Sequence, residues 1–182
     1  MHAPPSLSEL QAGFARAMVD GAAPALLPWM VGRFTHLQPE ELARYSANIK
    51  ADIAWCDARH LEYVPCLYPG FSWHNLSKIE TGRAGPLDQI PRQNGKFLWS
   101  QASTAMAAGA KMFYVAMFDE MDEGTAIFKC AGQPPGGASF VACSSLPSDY
   151  YLWLTGEAGK MLRGEIPFSR QIPVRVAAEK QP

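Results

Sequence analysis

The chain has 182 residues, 48% of them hydrophobic, the size of one ordinary domain with a sizeable buried core. Its 16 basic and 17 acidic residues give a net charge of -1 without a basic block, so the electrostatic footprint of a nucleic-acid binder is missing. No apolar run approaches the roughly 20 residues that span a bilayer. The start "MHAPPSLSELQAG" lacks a charged n-region and an apolar h-region, which makes the cytoplasm the default compartment unless a missing N-terminal part carries a signal for the periplasm or secretion.

In chain order, Leu7, Leu10, Phe14 and Met18 recur at steps of three and four and predict an N-terminal helix within residues 1–25. Leu26 to Val31 reads as a short strand broken by Gly32 and Arg33. Pro39 opens a long helix with Glu40 and Glu41 in its first turn. Leu42, Tyr45, Ile49, Ile53 and Cys56 form one face of that helix, and Arg59 and His60 suit its end. "EYVPCLYPGF" is the next strand-like run. The Gly/Pro-rich stretch Ser72 to Gly95 then reads as a loop too long for a compact domain unless it has a task or hides an element. "KFLWSQASTAMAAGA" predicts a helix stopped by Gly109, Met112 to Phe118 a strand, and Ser139 to Ala142 a last short strand. Ser148 is the expected N-cap of a final helix with Tyr151, Leu154, Met161 and Leu162 inward.

Strand and helix thus alternate about four times over residues 26–164, with residues 165–182 as a tail, which predicts one α/β domain built on a parallel sheet. A closed eight-stranded α/β barrel needs about 250 residues. The chain therefore forms either an open parallel sheet or part of a barrel.

Polar and aromatic residues collect after the strands: Arg33 after the first, Tyr68, Trp73, His74 and Asn75 after the second, and Asp119, Glu120, Asp122 and Glu123 after the third. In parallel α/β folds these ends share the face where ligands bind. Glu120 and Glu123 form the sharpest pair, because two carboxyl groups flanking one bond divide glycoside hydrolysis into acid and base roles. Crowding raises the penalty for ionising both, which keeps one of them protonated as the acid. The same letters also fit a solvated acidic turn. Trp73, His74 and Asn75 suit sugar, whose C–H faces stack on indole while its hydroxyls bond imidazole and amide, or the Trp plugs the rim. Tyr68 and Phe71 alternate sides with their neighbours, at least one of them being core, and Arg33 either binds an anion or pairs with Asp119.

His36 and His60 read as surface or helix-end groups. Cys56, Cys66, Cys130 and Cys143 include no C-x-x-C pair. A metal hydrolase would want two His and a carboxylate, and only His74 is well placed, so neither metal nor other cofactor is expected.

The segments "YVPCLYPGFSWHNL", "IPRQNGKFLWSQASTAMAAGAKMFYVAMFDEMDEGTAIFK" and "LPSDYYLWLTGEAGKMLRGE" resemble the C-terminal half of bacterial glycoside hydrolases of the family 99 and family 71-like group, over roughly Pro28 to Gly164. The resemblance implies the late βα units of a (β/α)8 TIM-type barrel and a carbohydrate substrate. That group carries an acidic E-x-x-E-G-T segment after a late strand, and Glu120 and Glu123 fall on its two Glu positions. Glu123 would then be the acid and later the base that activates water. Glu120 would draw the proton from the sugar 2-hydroxyl, which attacks the anomeric carbon with overall retention. Asp119 stands where the family has Asn, and Met121-Asp122 where it has Trp-His, so the family's α-mannoside does not carry over. "FSWHNL" and "FDEMDEGTAIFK" are more similar to the xylosidase/arabinosidase branch. Four strand ends leave sheet edges that invite self-association or a missing N-terminal half. The alternative to an enzyme is a non-catalytic carbohydrate-binding or structural remnant.

Overall fold

The structure is a computed structural model that describes residues 24–142 and 145–175. The expected N-terminal helix and Cys143 lie outside the described residues. Four short strands and four helices follow in order: β1 (Ala25–Leu26), α1 (Pro39–Asp57), β2 (Glu62–Tyr63), β3 (Cys66–Leu67), α2 (His74–Thr81), α3 (Lys96–Ala107), β4 (Tyr114–Val115) and α4 (Tyr150–Leu162) among the described residues.

Both ladders are parallel: Ala25 faces Glu62 and Leu26 faces Tyr63, while Cys66 faces Tyr114 and Leu67 faces Val115. β2 and β3 are two halves of one extended segment that changes partner at Pro65. The Val64 N–H still donates to Leu26 O (2.9 Å), and the Pro65 carbonyl already accepts from Tyr114 N (3.0 Å). The spatial order is therefore β1, then residues 62–67, then β4. α1 and α3 serve as the crossovers that parallel pairing demands. Cys66 and Leu67 are both buried, as a strand covered on two faces requires.

α1 begins as its sequence dictates, with Pro39 in the first turn, where no intrahelical N–H is needed. It ends in a Schellman arrangement. His60 takes the left-handed conformation (φ 57°), His60 N–H donates to Asp57 O (3.2 Å), and Leu61 N–H donates to Cys56 O (3.0 Å). The predicted stripe supplies Tyr45, Ile49 and Cys56 to the core, where Phe34 stacks on Tyr45 (4.8 Å) and on Phe97 (5.4 Å). Asp52 is buried on the same face, accepting a hydrogen bond from the Tyr63 hydroxyl (2.8 Å).

α3 is buried on nearly all sides, between α1 and α4, because its run of Ala and Ser lets neighbours approach closely. Its entry is Gly95 at φ 86°, where an added Cβ would lie 2.6 Å from Leu154 Cδ2. Gln101, fully buried, donates from Nε2 to the Tyr68 carbonyl (2.7 Å) and accepts from Tyr68 N–H (3.4 Å). That pairing secures the backbone at the point where β3 gives way to the functional loops.

Four expectations change. Strands are shorter than their apolar runs: β1 stops at Leu26, since Pro28 has no N–H and a turn closes Arg33 N–H onto Met30 O (3.0 Å). The long loop hides α2, whose amphipathic signal was only Leu76 and Ile79 and whose stop is Gly82 at φ 74°. Ser139 to Ala142 is not a strand: it follows a turn (Ala138 N–H to Pro135 O, 3.1 Å) and is held by a side chain, described below. The cap of α4 is Asp149, one place later than expected, and its carboxylate accepts two bonds from Arg175 (2.6 and 2.9 Å).

Candidate active site

Beyond β4, through a cis Ala116–Met117 peptide, the chain folds back on itself. Met117 N–H donates to Thr125 O (3.1 Å), Ile127 N–H to Met117 O (3.1 Å) and Phe128 N–H to Phe118 O (2.9 Å), which leaves residues 119–124 as a tip. The Glu120 carbonyl closes that tip by accepting from the N–H groups of Thr125 (3.2 Å) and Ala126 (2.9 Å) and from the Thr125 hydroxyl (3.3 Å). This explains the Gly-Thr that follows Glu123. Gly124 turns at φ 66°, with no room for a Cβ beside Val141 (2.9 Å), and buried Thr125 completes the closure.

The tip is not a freely solvated acidic turn. Gly124 to Ile127 are buried while Glu120 and Glu123 are half-buried and Asp119 and Asp122 exposed. Three successive carbonyls are gripped by a second stretch of chain, residues 72–92. Asn75 Nδ2 donates to Asp122 O (3.1 Å), and the backbone N–H of Ser72 donates to Glu123 O (2.6 Å). Arg92 donates to Gly124 O from Nε (3.0 Å) and Nη2 (2.6 Å). Burial first, and then the charges of Glu120 and Asp122, push the Glu123 carboxyl above its ordinary value.

The other candidates divide between the rim and the frame. Trp73 is 37% exposed and leans on Phe71 (ring centroids 5.6 Å apart), so its indole is supported on one side and open on another. His74 places Nδ1 2.9 Å from the Gly85 carbonyl. A carbonyl only accepts, so Nδ1 carries a proton and Nε2 is the ring nitrogen left to other partners. Asn75 uses its amide nitrogen on the loops, reaching Ser139 O (2.9 Å) as well as Asp122 O. Arg33 is exposed, and its Nε donates to its own turn at Trp29 O (3.1 Å); among the described residues it makes no ion pair with Asp119. Tyr68 is fully buried, its hydroxyl donating to the Phe34 carbonyl and its ring set edge-on to Phe97, which makes it a core residue and takes it off the exposed face.

Ser72 and Arg92 were not legible in advance. A backbone donor leaves no letter, and one Arg between Pro91 and Gln93 forms no pattern. Among the described residues no three His, Cys, Asp or Glu side chains gather as metal ligands, and no helix is long and apolar enough to cross a membrane.

No family profile matches the sequence, and no curated protein does. Solved structures do match. The GH99 endo-α-mannosidase from Bacteroides thetaiotaomicron has a TM-score of 0.64 at 21% identity, over 86% of this chain and 42% of that one. The same enzyme in complex with BIS-TRIS-propane has a TM-score of 0.55 at 24% identity, over 65% of this chain and 36% of that one. The fold is that of part of a TIM-type barrel. The match spans less than half the length of those chains.

Proposed function

We propose that this chain carries the late βα units of a retaining glycoside hydrolase acting on a glycan or oligosaccharide, with Glu123 as acid and base and Glu120 as its partner. The observation that carries the reading is the Glu123 carboxyl, raised by burial and by two neighbouring carboxylates on a loop whose backbone is held firmly. A carboxyl group kept protonated toward neutral pH is what a leaving glycosidic oxygen requires.

Glu120 takes the proton of the sugar 2-hydroxyl, and the freed oxygen attacks the anomeric carbon. The bond to the leaving oxygen breaks as that oxygen receives the Glu123 proton. Glu123, now a carboxylate, takes a proton from water, which opens the anhydro-sugar at the anomeric carbon, and Glu120 returns its proton to the 2-oxygen. Two inversions give retention, and no enzyme nucleophile is used. Trp73 offers a stacking face, the His74 imidazole a partner for a hydroxyl, and Arg33, Asp119 and Asp122 are the further polar groups assigned to the substrate. The related structures are endo-α-mannosidases, whereas Asp119 and Met121-Asp122 depart from the family 99 motif, so the sugar is decided by assay. Wild type and Glu123→Gln are compared on α- and β-linked mannosides, xylosides, glucosides and arabinosides, with circular dichroism on both. Acid-base help is typically worth about 10²–10⁴-fold, and a loss of that size identifies the acid. A folded wild type that binds a sugar but turns none over, with Glu123→Gln binding equally, establishes a non-catalytic binder.

Both outer edges of the sheet support an association as well. Among the described residues β1 pairs only with β2 and β4 only with β3, and Leu27, Trp29, Met112 and Phe118 lie exposed beside those edges. Open parallel edges with apolar flanks favour pairing. The chain is expected to elute as a dimer or to bind a separate half; a folded, active monomer in light scattering would refute this.

A further inference from the structure

We infer that Arg92 and Asn75 are positioning residues that set the direction of the Glu123 carboxyl by gripping the carbonyls on either side of it. This rests on the reading of Glu123 as the acid. Arg92 is 8% exposed and lies outside the acidic motif, yet its guanidinium puts two bonds on Gly124 O and a longer one on Ala126 O (3.4 Å). Its flat face lies 4.8 Å from the centroid of the Tyr151 ring on α4. Its stem passes so close to the strand exit that a Cβ on Gly70 would sit 2.6 Å from Arg92 Cγ. α4, the β3 exit and the acidic tip therefore meet on this one side chain.

A carbonyl held by two donors from one rigid fork cannot rotate about the backbone without breaking both. The peptide plane joining Asp122 to Glu123 is fixed by Asn75 on the Asp122 carbonyl, the plane joining Glu123 to Gly124 by the Ser72 N–H on the Glu123 carbonyl, and the next plane, Gly124 to Thr125, by the Arg92 fork, which stops the turn just beyond Glu123 from swinging. With both flanking planes set, the Cα–Cβ direction of Glu123 is set, and only side-chain rotamers remain. Lys cannot replace Arg here: it supplies a point charge without the planar fork or the stacking face.

The test reads the Glu123 carboxyl by carbon NMR through a pH titration, together with kcat and KM, in wild type, Arg92→Lys and Asn75→Ala. Ile49→Val on α1 serves as a control for general loosening of the core. The raised titration in wild type is expected to fall toward the ordinary carboxylate value in both variants and to stay put in the control. kcat is expected to drop by up to about 10²-fold, the effect of a misplaced group, with KM little changed. Should Arg92→Lys fail to fold, Asn75→Ala, which keeps the buried cation, decides the matter. Wild-type titration and wild-type kcat in the folded variants overturn the inference. A wild type without hydrolytic activity whose Glu123 titration still moves in the variants refutes the enzymatic reading and leaves the positioning role standing.

Discussion

Replacing Gln101 by Leu tests the link between helix α3 and the strand exit. The side chains are close in size, so no cavity opens, and the change isolates polar satisfaction at Tyr68. Gln101 Nε2 donates to Tyr68 O at 2.7 Å, and losing it leaves a buried acceptor unpaired, at about 2 kcal/mol. The return bond from Tyr68 N–H is long, 3.4 Å, and its loss adds about 1 kcal/mol. The second Nε2 bond, to Phe97 O at 3.0 Å, adds little because that carbonyl also lies within the helix ladder. Burying an aliphatic side chain in place of an amide returns about 1 kcal/mol. The expected net loss is about 2 kcal/mol, read as a lower urea midpoint at unchanged slope. A loss under about 0.5 kcal/mol, the range of neutral surface changes, would show that Tyr68 finds another partner and that Gln101 does not hold the strand exit.

Three further outcomes are expected. Burial raises the Asp52 carboxyl despite its bond from Tyr63, so the fold favours the protonated form. Its stabilising contribution is full below the unfolded value of 3.8 and is lost as pH rises through the raised folded value; Asp52→Asn should flatten that slope in thermal melts from pH 4 to 8, and an unchanged slope would count against it. Gly95→Ala must place a Cβ at φ 86° and 2.6 Å from Leu154 Cδ2, and should destabilise by about 1–3 kcal/mol in the same urea assay, a neutral result refuting the close approach. Arg175 holds the Asp149 carboxyl at about 2, and Arg175→Ala should return it to the ordinary aspartate value in an NMR titration; no movement would mean that the pair does not persist in solution.

Helices were legible where periodicity was long. Pro39–Asp57 and Lys96–Ala107 fall where Leu42, Tyr45, Ile49 and Cys56 and the Phe97 run place them, because a stripe sustained over several turns has few alternatives. Short elements were not. "HNLSKIET" carries too few apolar residues to announce α2, and Ser139 to Ala142 has strand-like letters without a partner to pair with. At the site, the four carboxylates were visible as letters, since their clustering against an apolar run is itself a pattern. Tyr68 looked available after a strand, yet the structure turns it inward onto Phe34 and Phe97.

The sequence by itself determined the local matters: the helical stripes, the Pro39 start, the alternation that makes the sheet parallel, and the Glu120 and Glu123 spacing. Each depends on residues within a few positions of one another, where side-chain chemistry and backbone geometry act directly. Tertiary structure alone decided that residues 62–67 change partner at Pro65, that Arg92 and Asn75 reach across 32 and 47 positions to the acidic tip, and that burial and neighbouring charge hold the Glu123 carboxyl above its ordinary value. A hydrogen bond to a carbonyl recognises the backbone rather than the residue that carries it, and burial is a property of everything packed around a group, so neither leaves a local mark in the letters.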